Sequence, residues 1–483
     1  MNEQVMLLYP PGPLYQRGED RCQGNIEASA ATAMRACNDL GYAAAVLLQK
    51  NYEVYLKDYQ TERLTLADVC ADIVRLQPQL ILLSVTNGTI FDDLKFVAAL
   101  KEHTDAVIVL KGAIFWDPPH EMVQLLDLSQ VDYIIGGEVE FSIGQVADLA
   151  LRGEGTAEEI PNIFYQTDGA MHPTFFHVWE QHLDTIPFPA RQLMNNALYT
   201  RPDTGEAMAT IQTSRGCAAG CIYCLSPDIS GKHIRYRSVD NVMAELEECY
   251  HVHHIRNFFF KADTFTMDAA WVKELCERII ASPLYGNIAF TANSRVRPLK
   301  KETLEIMKKA GCFLVAFGFE SGSDETLTKA HKGTTVAENR QAARWCKEVG
   351  LPVYGFFMIG FPWEGRAHLE ATKQLIFELG CDFIEVHIAL PYYGTRLYEL
   401  YEAAGLLKRQ TYGANYFESN IQGTSELDYA ELSAFRDDVM KHYYLRPSYI
   451  AARLKDCLTK PVVLKNYWKY GWRLVGNLMR HPG

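Results

Sequence analysis

The feature that most restricts the fold is an alternation, occurring twice along the chain, between short apolar runs and segments of helical periodicity. Apolar runs separated by helices build mostly parallel sheets, because a helix returns the chain to the same edge and covers a face of the sheet. In the first stretch, residues 1 to 150, the predicted strands are Val5–Tyr9, Ala43–Gln49, Leu80–Thr86, Ala106–Leu110 and Tyr133–Ile135. The predicted helices there include Asn25–Leu40, Thr65–Leu76 and Phe91–Glu102. In the second stretch, 208 to 400, the predicted strands are Ala209–Thr213, Ile255–Phe260, Ala289–Ala292, Phe313–Phe319, Val353–Ile359 and Phe383–Ile388. Helical patterns at Val239–Tyr250, Met267–Ala281, Lys301–Ala310, Val336–Val349 and Leu369–Leu379 separate them. Six such strands predict a partial (β/α)6 barrel. Residues 151–207 lack strong periodicity, and Asp184-Thr185-Ile186-Pro187-Phe188-Pro189 favours an extended connector. Residues 401–483 read as mostly helical. The expected fold class is therefore α/β: an N-terminal open parallel sheet, a partial barrel and a helical C-terminal region. At 483 residues the chain is too long for one hydrophobic core.

In open parallel sheets and in barrels, ligands gather at the carboxyl ends of the strands. In the first stretch those ends carry Pro10-Pro11-Gly12, Ser84-Val85-Thr86-Asn87-Gly88, Lys111-Gly112 and Gly136-Gly137-Glu138. Small and polar residues suit close approach of a bulky ligand, and equally suit tight turns. A net charge of −12 excludes a non-specific grip on a nucleic acid backbone. The N-terminus shows no basic leader and no long apolar run, and no stretch has the length of a membrane span, so neither a signal peptide nor a membrane helix is expected. Nine of the twelve cysteines are scattered singly, which suits reduced thiols in a cytoplasmic protein. From Lys441 to Gly483 there are nine Lys or Arg against one acidic residue, Asp456, interleaved with Tyr467, Trp468, Tyr470 and Trp472. Such a segment packs on an acidic body or touches a membrane surface.

The chemistry-bearing constellation directly follows the first strand of the second stretch. It reads Thr213-Ser214-Arg215-Gly216-Cys217-Ala218-Ala219-Gly220-Cys221-Ile222-Tyr223-Cys224. Three thiolates this close can serve one metal centre. Structural zinc takes four ligands, and the nearest further candidate, His233, lies beyond a matching short spacing. Soft thiolates select iron–sulfur or zinc, and three cysteines on a four-iron cluster leave one iron open. Cys217, Cys221 and Cys224 are thus candidate cluster ligands, against the plainer readings of a zinc site or unrelated buried cysteines.

The CxxxCxxC spacing at a first barrel strand, with aromatic Tyr223 before the last cysteine, resembles the signature of the radical S-adenosylmethionine (SAM) superfamily. The resemblance implies a [4Fe–4S] cluster whose open iron binds the amino and carboxylate groups of SAM. It also implies reductive cleavage of SAM to methionine and a 5′-deoxyadenosyl radical. Further segments follow in the family's order. Phe259-Phe260-Lys261-Ala262-Asp263-Thr264-Phe265 resembles the segment that contacts the methionine amino group, which implies Asp263. Asn293, Ser294 and Arg295 end the third strand and look like cofactor or substrate contacts. Phe317-Gly318-Phe319-Glu320-Ser321-Gly322-Ser323 resembles the fourth-strand signature, where Glu320 would bind the adenosyl ribose or amino group and Ser321 would reach the carboxylate. Met358-Ile359-Gly360-Phe361-Pro362-Trp363-Glu364-Gly365 resembles the adenine segment, which implies backbone contacts at Gly360. Taken singly, each is also an ordinary turn or surface carboxylate.

The first stretch resembles the cobalamin-binding domain that precedes this barrel in a subgroup of carbon methylases and anaerobic porphyrin-ester cyclases. Pro10-Pro11, Gly136-Gly137-Glu138-Val139-Glu140 and the run from Asp184 to Arg191 carry that likeness, which covers residues 1–400. It implies corrinoid contacts among Ser84, Thr86, Gly112, Gly137 and Glu138. An Asp-x-His-x-x-Gly motif is absent, and His103 and His120 lack its context. The resemblance therefore implies a corrinoid without a histidine on cobalt, or a domain that has lost it. The implied reaction is methyl transfer to an unactivated carbon, using methylcobalamin and the deoxyadenosyl radical. The alternatives are oxidative cyclisation or rearrangement without net methyl transfer, and a non-catalytic corrinoid or iron–sulfur carrier. The expected partners are a small-molecule or lipid-like substrate and an external one-electron reductant. Tyr392, Tyr393 and Arg396 follow the sixth barrel strand and suit either substrate contact or interface packing.

Overall fold

The computed structural model describes residues 3–17, 26, 34–116, 125–174, 178–408, 419–459, 461–464 and 466. Its first sheet has seven strands: β1 Gln4–Tyr9, β2 Glu53–Asp58, β3 Leu80–Ser84, β4 Val107–Lys111, β5 Tyr133–Ile135, β6 Ile163–Thr167 and β7 Ala170–Thr174. The order is β2-β1-β3-β4-β5-β6-β7. β1 to β5 pair in parallel, and β6 and β7 add antiparallel. Val5, Leu7 and Tyr9 of β1 enter one hydrophobic cluster while Met6 and Leu8 enter another, as the two-residue period of a strand requires. With both faces covered, β3 is buried at every position, so it reads as a continuous apolar run.

Two elements depart from the sequence expectation. The predicted strand Ala43–Gln49 is the second half of the helix Asn38–Gln49, and the strand is Glu53–Asp58. That helix buries seven residues from Leu40 to Leu47, so its apolar run lacks a polar face, and its alanines favour helix. The real strand is an edge strand whose Glu53, Lys57 and Asp58 disguise it. Half of the predicted helix Asn25–Leu40 lies outside the described residues, and in the other half the helix begins only at Asn38; His120, Tyr467, Trp468, Tyr470 and Trp472 also lie outside them. The second departure is the aperiodic stretch 151–207, which supplies β6 and β7 to the first sheet.

The second sheet comprises β8 Met208–Gln212, β11 Asn257–Lys261, β12 Ala289–Ser294, β13 Cys312–Glu320, β14 Val353–Ile359 and β15 Phe383–Ile388. A short ladder, β9 Ser214–Arg215 with β10 Arg235–Tyr236, stands beside it. The order is β8-β11-β12-β13-β14-β15, all neighbours parallel, which makes an open six-stranded barrel. Phe258, Phe260, Phe290, Ala292, Val315, Phe317 and Phe319 join the core beneath the surrounding helices. By alternation Phe259, Lys261, Thr291, Asn293 and Gly318 face the barrel interior. Helix ends follow local chemistry. Thr335 and Glu338 form a capping box at Val336–Val349, and Gly350 closes that helix at φ +70°.

The helix Tyr429–Leu445 covers the free edge of β15, and Pro447–Thr459 packs on that helix. The Tyr444 hydroxyl donates to the Ile384 carbonyl at 2.7 Å and accepts from the Ile384 N–H at 2.9 Å, so it mimics a neighbouring strand. The Tyr449 hydroxyl donates to the Asp382 carbonyl at 3.0 Å. Among the described residues, no helix is long and apolar enough to cross a membrane.

The first sheet presents its carboxyl edge to the barrel mouth. Asn38 Nδ2 donates to the Thr210 carbonyl at 2.8 Å, and Trp179 Nε1 donates to the Ile229 carbonyl at 2.8 Å. Trp116 lies against Gly394, and Tyr393 packs on the core of the first sheet, so Tyr393 belongs to the interface. Arg396 is exposed and pairs with Glu399. At the far side, Arg191 enters the barrel wall, where it shares the fully buried Glu245 with Arg237.

Candidate active site at the barrel mouth

The cysteine loop is set by backbone before any ligand is considered. β9 and β10 close its neck, with Arg215 directly opposite Arg235. Gly216 adopts φ +94°, and a Cβ there would collide with the His233 carbonyl, so only glycine fits. The Cys217 N–H donates to the Gly231 carbonyl at 3.0 Å, the Cys224 N–H to the Cys221 carbonyl at 3.2 Å, and the Ile222 N–H to the Ala330 carbonyl at 3.2 Å. Cys217 and Cys221 are buried and Cys224 is half-buried. Among the described residues, no three His, Cys, Asp or Glu side chains meet around a point fit for a single metal ion. Cysteines that each take a different iron of a cluster have no need to converge on one point. A loop of three thiols with a cationic neighbour suits a thiolate-bound cluster.

That neighbour is Arg295. It donates from Nη1 to Cys221 Sγ at 3.3 Å and from Nη2 to the Lys332 carbonyl. Burial disfavours its charge, but the Cys221 sulfur and its hydrogen bond outweigh burial and hold the guanidinium above its ordinary pKa. Lys332 Nζ pairs with Glu320 Oε1 at 2.7 Å. Glu320 is 8% exposed and sits at φ +63°, where the β13–β14 register slips. A non-glycine residue in the left-handed region costs free energy, and such strain gathers at functional sites. Gly318 makes room, because a Cβ there would strike the Glu320 carboxylate and lie 2.9 Å from Lys332 Nζ. Burial, then the charges of Cys221, Glu320 and Cys224, push the Tyr223 phenol far above its ordinary value, so it stays neutral. Its ring meets Phe361 edge-on at 6.0 Å, tying the cysteine loop to the fifth-strand segment.

The other predicted residues fall into three groups. Asp263, Gly137 and Glu138 come together on a cleft between the first sheet and the barrel, also lined by Asp39, Lys111 and Arg215. Asn293 lies on the interior face of β12, one residue before Ser294 and two before Arg295. The rest are occupied by internal bonds. Ser321 is fully buried and its hydroxyl meets that of Thr372 at 3.2 Å, on the helix Arg366–Leu379. The Gly360 N–H donates to Glu364 Oε2 at 2.7 Å and its carbonyl accepts from the Tyr401 hydroxyl, so Gly360 has no spare donor for an adenine. Ser84 donates to Asp39 at 2.8 Å, Thr86 bonds Thr89 at 3.0 Å, and a Cβ at Gly112 would lie 2.8 Å from the Val85 carbonyl. Those three residues stand behind the cleft wall, and Lys111 and Asp39, joined at 3.1 Å, form the surface.

Sequence reasoning named Arg215 and Lys111 only within longer segments, with no role of their own, and missed Arg235, Lys332 and Asp39. Arg215 abuts the cysteine motif and could have been flagged by position. Lys332 lies 12 residues beyond Glu320, across a helix, with no local signal.

Residues 211–376 match the radical SAM superfamily. An uncharacterized methyltransferase of Pyrococcus horikoshii is 28% identical over 412 residues, covering 84% of this chain and 87% of its own. Cytidylyl-2-hydroxyethylphosphonate methyltransferase of Streptomyces wedmorensis is 25% identical, covering 82% and 81%. Among solved structures, the radical SAM methyltransferase TsrM of Kitasatospora setae, with cobalamin and a [4Fe–4S] cluster bound, superposes at a TM-score of 0.70. It is 16% identical, with 93% of this chain and 90% of that one covered. The cobalamin-dependent enzyme OxsB, with aqua-cobalamin and SAM bound, gives 0.71 at 16% identity, covering 96% and 72%. At that identity the likeness establishes a shared fold. Residues 211–376, with the cysteine loop inside them, thus carry the match to the radical SAM superfamily, within a two-part fold shared with those structures.

Proposed function

We propose that the chain is a cobalamin-dependent radical SAM enzyme that transfers a methyl group to an unactivated carbon of a small-molecule or lipid-like substrate. The observation that carries the reading is the three-cysteine loop beside Arg295 and Glu320, whose neck residue Arg215 also lines a cleft under the first sheet. Two relatives named as methyltransferases, each spanning more than four-fifths of the chain, support methyl transfer. The cofactors named for TsrM and OxsB support the cofactor set.

Cys217, Cys221 and Cys224 would hold the [4Fe–4S] cluster, and Asp263, Asn293, Arg295 and Glu320 would hold SAM. When bound, these groups supply a 5′-deoxyadenosyl radical, and a corrinoid in the interdomain cleft supplies the methyl group. The protein's work is placement and exclusion of water. Arg295 keeps positive charge against Cys221, and Lys332 holds Glu320 in its strained conformation. Tyr223 and Phe361 wall the loop with apolar surface. A one-electron reductant from outside and a cytoplasmic setting complete the reading. The basic C-terminal segment adds peripheral membrane contact, testable by flotation with anionic vesicles.

The test is anaerobic reconstitution with iron, sulfide, hydroxocobalamin, SAM and a low-potential reductant, with a small-molecule and lipid extract of the source cells as methyl acceptor, followed by mass spectrometry. S-adenosylhomocysteine and 5′-deoxyadenosine in equal yield are expected during turnover. Deoxyadenosine alone would sink methyl transfer and favour the cyclase-like chemistry of a relative named as an anaerobic magnesium-protoporphyrin IX monomethyl ester cyclase, from Synechocystis. Absence of both would sink the radical reading.

A further inference from the structure

Arg215 and Arg235 are directly opposed on β9 and β10, the two strands that close the neck of the cysteine loop. Like charges directly across a ladder repel. Both guanidiniums are also buried, which makes the repulsion costlier than at a surface. The ladder therefore lacks a compensating charge of its own, and the compensation arrives from the other domain. Arg235 is gripped by both oxygens of Glu138, Nη2 to Oε1 at 2.7 Å and Nη1 to Oε2 at 3.2 Å. Arg215 is gripped likewise by Glu140, at 2.5 and 3.4 Å, and its Nη1 also lies 3.3 Å from Glu138. All four side chains are at most 11% exposed. Planar, two-point guanidinium–carboxylate pairs fix orientation as well as charge.

The turn that delivers the two carboxylates is built for close approach. A Cβ at Gly136 would collide with the Phe115 carbonyl, and one at Gly137 would lie 2.8 Å from the Asn162 side chain. Arg235 further donates to the Glu180 and Ser230 carbonyls, both at 2.6 Å, so the ladder, the connector and the first sheet meet at one point. Burial pushes the Glu140 carboxyl up, but the Arg215 charge and hydrogen bonds win and hold it below its ordinary value.

We propose that Glu138 and Glu140 are positioning residues for the iron–sulfur site: the first domain, through them, clamps the ladder that frames the cysteine loop and so holds the cluster in place. Glu138 was expected to touch a corrinoid; its carboxylate is spent on this clamp. The inference rests on the cysteines being cluster ligands, and its test does not depend on SAM cleavage or methyl transfer.

The full-length protein is reconstituted with iron and sulfide, and two readouts are taken: the rate at which a ferrous chelator extracts iron, and the electron paramagnetic resonance spectrum of the reduced cluster. Glu138→Gln/Glu140→Gln is expected to take up wild-type iron and keep its circular dichroism. It should release iron at least about tenfold faster and show a shifted or broadened spectrum, because buried pairs lost on one side speed dissociation. Glu138→Arg combined with Arg235→Glu, which restores an opposite pair, should slow release again. If the double variant does not fold, Glu140→Gln alone, which leaves Arg235 its carboxylate, carries the same test. A folded variant with wild-type release and spectrum overturns the clamp. Wild-type protein that takes up no iron overturns instead the cluster reading beneath it.

Discussion

The carboxyl edges of the two parallel sheets hold similar residues and use them in opposite ways. At the edge of the first sheet, polar groups close on one another. Asp39 receives Tyr9 at 2.6 Å, Ser84 at 2.8 Å and Lys111 at 3.1 Å. Arg17, deep beneath it, is taken up by Asp93, Gln60 and the Ser84 carbonyl. Ser84, Thr86 and Gly112 have no left-handed backbone. At the barrel edge, Gly216, Glu320 and Gly360 all lie at positive φ, and Glu320 does so as a charged residue in a buried site. Ser84, Thr86 and Gly112 of the first edge thus serve as a docking platform in ordinary backbone conformations, whereas Glu320 stores strain where the chemistry is proposed.

The largest effect should separate the edges outright. Alanine at Cys217, Cys221 or Cys224 should reduce SAM cleavage to background, measured as 5′-deoxyadenosine, while Ser84→Ala should retain it. A Ser84→Ala enzyme as inactive as the cysteine variants would erase the distinction.

Next come two matched breaks. Glu320→Gln leaves Lys332, and Asp39→Asn leaves Lys111, without its counter-charge in a buried place. Each should cost about 3–5 kcal/mol by denaturant unfolding. Only Glu320→Gln should also weaken SAM binding, by roughly tenfold or more, the equivalent of about 1.4 kcal/mol. Equal weakening by Asp39→Asn would break the comparison.

The two edges should also respond to pH with opposite sign. Burial pushes the Glu364 carboxyl up to about 7, against hydrogen bonds from Phe361, Thr326 and Gly360. The folded state then holds this proton more tightly than the unfolded chain. Its contribution is fully present below the unfolded value and is lost as pH rises from about 4.3 towards the folded value. Unfolding free energy should fall by about 3 kcal/mol between pH 4.5 and 8 through this group, and Glu364→Gln should flatten that slope. Asp39 goes the other way: burial raises it, but Lys111, Tyr9 and Ser84 together hold it below its ordinary value. Its contribution is present above the unfolded value, about 3.9, and is lost as pH falls through the folded one. Local hydrogen exchange should show the first edge loosening in acid and the barrel edge loosening towards neutral and above.

The smallest effect concerns the free strand edge. Tyr444→Phe removes the hydroxyl that pairs with both backbone groups of Ile384 and should cost about 1 kcal/mol, read by thermal unfolding. A cost near zero would mean that the covering helix holds β15 by apolar packing alone.

Much of the barrel was legible because each strand is a short apolar run between helices whose ends carry caps, as at Thr335 and Gly350. The strand Glu53–Asp58 was not, because an edge strand keeps charges that a buried helix such as Asn38–Gln49 lacks. The cysteine loop was legible because its ligand set is local. Glu320 was noticed through a local pattern, but its strain and its partner Lys332 were not.

Local chemistry could be read from order alone: the spacing of three thiols, the glycine before them and the βα alternation that puts them at a strand end. The tertiary structure alone decided which charges meet. Glu138 and Arg235 are separated by 97 positions, and Asp39 and Lys111 by 72. No propensity or period encodes such pairings, because they exist only once two sheets have packed and burial has made an unpaired charge too costly to leave.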